Sequence, residues 1–307
     1  MEGPTSFAGP GSMDVKIEGK NVQLLGDPML NNGGPSGTPA NAATLMGVIQ
    51  TSGFVTAVTG DEACPLNASH EPHGPLEETE QTKTDAAQLA SMLEVVLKEK
   101  GYRLVRMLGV VQCRCGKKKY ADHSSVTLTE FEEAVRRLKA PWRSPPGSLS
   151  LRDFLGKKTK EERDANAKAA DNSERRIRER LLARFANASE VEELWVDVEK
   201  RFKDSIEHRF KVPDFPAAYP PGACAAQKAI VLAWDNGAAT GALTERWFHT
   251  EGGETMAPIQ FLDAKTNTVK TERFKSGETV PPCRTCELIV PVMLCPGDKE
   301  AQCLHQD

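Results

Sequence analysis

The stretch Cys224-Ala225-Ala226-Gln227-Lys228-Ala229-Ile230, with its later counterpart Pro282-Cys283-Arg284-Thr285-Cys286, decides how this chain is read. Each stretch opens a helix. Pro220, Pro221 and Gly222 lead into the first, and Pro282 pre-sets the backbone for the second. Cysteines at i and i+3 in a first helical turn point the same way and chelate one ion. A helix N-terminus also lowers the thiol pKa toward the thiolate that a metal needs. Cys224 together with Cys283-x-x-Cys286 is therefore a three-thiolate zinc site with its fourth position open. A closed four-ligand site is structural, whereas an open position admits a reactive water. Two residues after Cys224, where a carboxylate would serve as general acid and base beside such a site, stands Ala226.

Outward from this centre, Cys224 to Asp235 predicts a helix burying Ile230, Val231, Leu232 and Trp234 and ending at Asn236-Gly237. Strands are expected over Pro258–Leu262 and Val269–Phe274. Upstream, Leu151 to Arg209 is charged and helical, with a capping box at Ser189–Glu192 and Leu194, Trp195, Val198 and Phe202 on its apolar side. Its mixed-sign charges read as a solvated face or as a nucleic-acid groove. Thr84 to Lys100 predicts a helix stopped by Gly101, and Tyr102 to Gln112 a strand. Cys113-Arg114-Cys115-Gly116 predicts a tight knuckle, and a helix capped by Thr127 or Thr129 runs to about Lys139. Residues 61–84 read as a polar linker, and residues 1–60 as a Gly-, Pro- and Asn-rich segment with a hairpin at Asp14–Leu24 and a short strand at Leu45–Ile49. The expected class is α/β, in a domain over 85–307 whose zinc core spans about 210–296.

The 307 residues, with 27% charged and 39% hydrophobic, suit a globular protein. A net charge of −4 confines any nucleic-acid surface to a local patch. No apolar run approaches the roughly eighteen residues of a membrane span, and Met1-Glu2-Gly3-Pro4 does not start a Sec leader. A cytoplasmic origin and no membrane partner are expected. Eight cysteines in clusters suggest metal chemistry or buried thiols more than a disulfide scaffold.

Two segments resemble known families. CAAQKAI over 224–230 and PPCRTCELIVPVMLC over 281–295 are similar to bacterial polymorphic-toxin deaminases, in which C-A-E-x-K precedes a later C-x-x-C. GPGSMDVKIEGKNVQLLGDPMLNN over 9–32 and NAATLMGVIQ over 41–50 resemble the PAAR-like spike-tip domains of type VI secretion effectors. The resemblance implies a deaminase-like α/β/α domain with a helical N-terminal extension, behind a small β-rich PAAR-like fragment. It implies zinc on Cys224, Cys283 and Cys286, a catalytic glutamate at the position of Ala226, and hydrolytic deamination of a nucleobase, cytosine in DNA. The implied partners are a nucleic-acid substrate, a cognate immunity protein and a type VI spike protein that carries the toxin into the target-cell cytoplasm. The alternatives are a zinc-stabilised secretion adaptor without chemistry, or a deaminase of free nucleotides. Ala226 itself reads as a deliberate replacement that lets a toxin be made without harm, as a naturally inactive relative, as part of a zinc knuckle with no catalytic past, or as part of a stretch that holds no metal at all.

Other residues carry weaker expectations. Cys113 and Cys115 with His123 form a second zinc site or a turn with a buried thiol. Trp247 and His249 line a base pocket or are structural. Cys64, His70 and His73 are solvated in the linker, and Cys295 belongs to the core.

Overall fold

The computed structural model describes residues 78–156, 159, 172–183, 188–208, 219–255, 258–263, 268–280, 282–294 and 302–305, with short strands between 6 and 43. It divides into two compact units, Met1–Gly47 and Val48–Asp307. In the first, β1 (Ser6–Phe7), β4 (Met29–Asn31) and β5 (Asn41–Ala43) form an antiparallel sheet, while β2 (Lys16–Ile17) and β3 (Lys20–Asn21) pair as a hairpin around Glu18-Gly19. That hairpin falls where alternation placed it. The strand expected at Leu45–Ile49 lies outside the described residues, as do Cys64, His70, His73 and Cys295.

The second unit is built on a four-stranded sheet in the order β8 (Trp142–Arg143), β7 (Lys119–His123), β6 (Val105–Cys113), β9 (Thr240–His249). β6 runs antiparallel to both neighbours, and β8 joins β7 in parallel. Period-two alternation divides β6 between two cores. Leu108 and Val110 pack with Leu89 and Leu93 of α1 (Glu80–Lys100) and Phe131 of α2 (Thr129–Leu138). Val111 and Cys113 pack on the other face with Ile230 of α6 (Ala225–Asp235) and Ile289 of α7 (Arg284–Leu294). A helix over 172–183 (α4) and α5 (Ala188–His208) add Ile177, Leu181 and Trp195 to this second core. Each fully buried aliphatic side chain is worth about 1.5–3 kcal/mol, so the paired cores hold the sheet in register. The fold is α/β, with helices on both faces of one mixed sheet. α3 (Leu151–Gly156) and a separate hairpin of β10 (Ile259–Asp263) and β11 (Thr268–Glu272) complete it.

Local chemistry moved several boundaries. α1 begins at Glu80 instead of Thr84, because Thr79 and Thr82 exchange side-chain and backbone bonds and satisfy the first free N–H groups. α2 carries no threonine side-chain cap, and the N–H of Leu128 is met by His123 Nε2 at 3.0 Å. β9 went unread, since Glu245 and Arg246 interrupt its apolar alternation. Nine of its ten residues pair with the whole of β6.

Candidate metal centre

α6 begins where β6 lets it come close. Gly109 faces α6, and a Cβ there would lie 2.8 Å from both the carbonyl carbon and oxygen of Ala225. Only glycine permits that approach. Cys224 is the N-cap of α6 with extended backbone (φ −82°, ψ 148°), so its thiol stands at the positive end of the helix. Cys283 stands just before α7, and Cys286 lies in its first turn. The three sulfurs lie within 4.8 Å of one another, and Cys224 Sγ to Cys283 Sγ is 3.6 Å. Tetrahedral zinc with Zn–S bonds of about 2.3 Å sets sulfurs about 3.8 Å apart, so this donor set fits that ion.

The thiols share their protons unequally. Hydrogen bonds from Cys224 and Cys286 hold Cys283 well below the ordinary thiol range. The Cys224 and Cys286 thiols, which give those bonds, are pushed up. One thiolate is thus already favoured, and a cation would draw out the rest.

Around the thiols stand residues whose roles sequence alone did not reveal. Gln227 accepts the Gly222 N–H at 2.7 Å and donates to Cys286 Sγ at 3.1 Å, locking the sulfur to the turn before α6. Thr285 donates its hydroxyl to the Tyr219 carbonyl at 2.6 Å, which ties the start of α7 to the same turn. Glu245, opposite Gly109 in the β6–β9 pair, accepts the Ala226 N–H at 2.8 Å. Burial raises this carboxyl to about 7, with the Cys283 thiolate adding to the rise. Lys228 is buried and donates to Asp122 Oδ1 (3.0 Å), to the carbonyls of His123 (2.8 Å) and Ser125 (2.6 Å), and to Thr127 Oγ1 (3.0 Å). It bolts the first turn of α6 to the β7–α2 connection, which accounts for a lysine in that stretch.

Ala226, the residue two positions past Cys224, is fully buried in the cluster that includes Cys286 and against which Cys224 and Cys283 pack. Its backbone lies beside a carboxylate that comes from β9. Trp247 and His249 lie two and four residues beyond Glu245, on the same face of β9. The His249 ring packs under Gly253, where a Cβ would come within 2.6 Å of it, and its Nδ1 bonds the Thr250 carbonyl. Trp247 Nε1 has no hydrogen-bond partner among the described residues. A cleft of about 240 Å³ opens beside the α6 start, lined by Gly222, Lys228, Asp122, Thr127 and Arg176.

The proposed Cys113–Cys115–His123 grouping does not form. His123 is sealed in the other core, edge-on to Phe131, with Nδ1 on the Ser124 carbonyl and Nε2 accepting from Leu128. Burial, then the charge of Lys228, holds it well below the usual imidazole range. β7 turns the imidazole toward α2 while Cys113 faces α6, so the two lie on opposite faces of the sheet. Cys113 and Cys115 meet Cys303 and His305 instead, a second group able to hold a metal ion.

No protein family, curated protein or solved structure matches this chain. Among the described residues no helix is long and apolar enough to cross a membrane.

Proposed function

We propose that this chain is a zinc-binding domain on the nucleobase-deaminase plan, an interbacterial toxin whose native reaction is hydrolytic deamination of cytosine in DNA, inactive here through Ala226. One observation carries the reading: three thiols from two helix N-termini converge on one point, and the residue two positions after the first thiol, buried in the core against which these helices pack, has no side chain able to move protons. Zinc held by Cys224, Cys283 and Cys286 supplies Lewis-acid activation of a water. The protein's part is to hold the sulfurs through Gln227 and Thr285, to keep water out of the apolar surround, and to present a carboxylate from position 226. A Glu at that position would take one proton from the attacking water and pass it to the ring nitrogen, then carry the hydroxyl proton of the resulting adduct to the departing ammonia. Delivery by a type VI spike and restraint by an immunity protein in the producer belong to the same reading, supported by the words at 9–32 and 41–50.

A second reading, a zinc-stabilised adaptor without chemistry, draws on the complete burial of Ala226 and on the Glu245 carboxylate that already occupies its N–H. Expression of Ala226→Glu in a sensitive host separates the two. Toxicity with cytosine-to-thymine substitutions across the genome, both abolished by adding Cys283→Ser, is the expected result. A folded, zinc-loaded Ala226→Glu protein that is harmless and leaves genomes and transcripts unaltered overturns the enzyme reading.

A further inference from the structure

We propose that Cys113, Cys115, Cys303 and His305 form a second, closed metal site, a structural zinc that clamps the segment 302–305 onto the β6–β7 turn. Their four ligand atoms lie within 4.8 Å of one another. Cys113 Sγ and Cys115 Sγ are 3.1 Å apart, and Cys115 Sγ is 3.3 Å from His305 Nε2. Three sulfurs and one imidazole nitrogen make a common structural zinc set, full at four ligands and so without room for chemistry.

The turn is shaped for the task. Cys113 ends β6, and the chain reverses at once, the N–H of Gly116 (φ +75°) meeting the Cys113 carbonyl at 2.8 Å. That reversal brings two cysteines spaced by one residue to the same side. The Lys118 N–H donates to Cys113 Sγ at 3.1 Å, the outer-shell contact that steadies a metal-bound thiolate. Arg114 N–H bonds the Ala239 carbonyl at 2.8 Å, fixing the turn to the segment that follows α6.

Among the described residues the tail is held by Cys303, which packs at the edge of the second core with its thiol toward the Ala239 carbonyl, and by one backbone bond. Leu304 donates its N–H to the Gly237 carbonyl at 2.6 Å, yet its side chain is 74% exposed. The Leu304 side chain therefore does not dock the segment, which leaves Cys303 and His305 as its anchors. His305 directs Nε2 at the thiols, while its buried Nδ1 finds no partner among the described residues. Two ligand pairs, Cys-x-Cys and Cys-x-His, face each other across some 190 residues of chain. A cation between them explains why this short polar segment returns to the sheet.

The site stands apart from the Cys224 centre and is tested without reference to catalysis. Full-length protein purified without chelator is measured for zinc by elemental analysis, and its Cys224→Ser and Cys303→Ser/His305→Ala variants alongside it. About two zinc ions per chain are expected, falling to about one in each variant. Cobalt(II) loaded into the Cys224→Ser protein is expected to give the intense visible bands of a tetrahedral site with sulfur-to-cobalt charge transfer. Intact-mass measurement under non-reducing conditions supplies the opposing result. A disulfide among Cys113, Cys115 and Cys303, or zinc content unchanged by the Cys303→Ser/His305→Ala change in a folded protein, overturns the proposal.

Discussion

The two cysteine groups lie at opposite ends of α6, an eleven-residue helix about 16 Å long, and they are built in opposite ways. The Cys224 group takes its ligands from helix N-termini rooted in the larger core, and every neighbour restrains it: Gln227, Thr285, Glu245, and Lys228 one turn on. The Cys113 group takes half its ligands from a tail whose only apolar side chain between them faces solvent. The first has three sulfurs and a direction left over, and the second has four ligands and none. A rigid, incomplete site suits chemistry, because its geometry persists without the ion. A complete site with loose ligands suits fastening, because there the ion makes the geometry. The comparison can be broken at either end.

The largest effect is expected at Lys228. Lys228→Ala leaves Asp122 buried without its cation and takes the three ammonium donors away from four surrounding acceptors, at a cost of about 3–5 kcal/mol. Urea unfolding of the metal-free protein measures it. A loss below about 1 kcal/mol would mean that the α6 start is not anchored in this way, and the claim of a preformed centre would fall with it.

Next comes Glu245. Its folded carboxyl is raised to about 7 from the ordinary 4.5, so the fold favours the neutral acid. Between those values the unfolded chain has released the proton while the folded chain keeps it, and stability falls as pH rises through that window. His123, held neutral when folded, works against this below about 6.5, where unfolding lets it take up a proton. The informative quantity is therefore the difference between the protein and Glu245→Gln. Metal-free Glu245→Gln is expected to gain stability over the parent by about 1.4 kcal/mol per pH unit across the window, read by thermal melts at several pH values. Parallel profiles would show that Glu245 is not the buried acid described.

Gln227→Ala sharpens the same contrast more gently. It removes the donor to Cys286 and the acceptor for Gly222 while leaving all three ligands. Zinc affinity at the Cys224 centre is expected to drop about 10–100-fold, measured by competition with a chromophoric chelator, with the Cys113 group unaffected.

How much of this was legible follows from where each signal resides. The Cys224 N-cap, the Cys283-x-x-Cys286 turn and the Asn236-Gly237 stop are local, so spacing and capping chemistry located them. Glu245 is legible only after β9 is recognised, and β9 is disguised because its polar residues face both helix layers: Thr244 to Thr82, Glu245 to Ala226, Arg246 to Glu78. His123 offered the nearest imidazole to Cys113 in sequence, but strand alternation turns the two to opposite faces. The matching signal was the Cys303-x-His305 pair, which echoes Cys113-x-Cys115 in spacing yet sits in a polar stretch with no helix or strand to mark it.

The smallest effect should come from His305, and its smallness is the point. Among the described residues the imidazole bonds an exposed thiol, and its Nδ1 finds no partner. Removing it gives up one weak hydrogen bond from a half-buried ring, so His305→Ala is expected to change the metal-free stability by no more than about 0.5 kcal/mol. Loaded with zinc, the parent gains the binding energy of the Cys113 site in its folded state, and the variant does not. The two proteins should therefore melt together in excess chelator and apart in micromolar zinc, the parent higher. Coincident melts in both conditions would make the tail contact incidental. A large gap in chelator would mean that His305 holds the fold by itself, and the distinction between a preformed centre and an ion-made clasp would not stand.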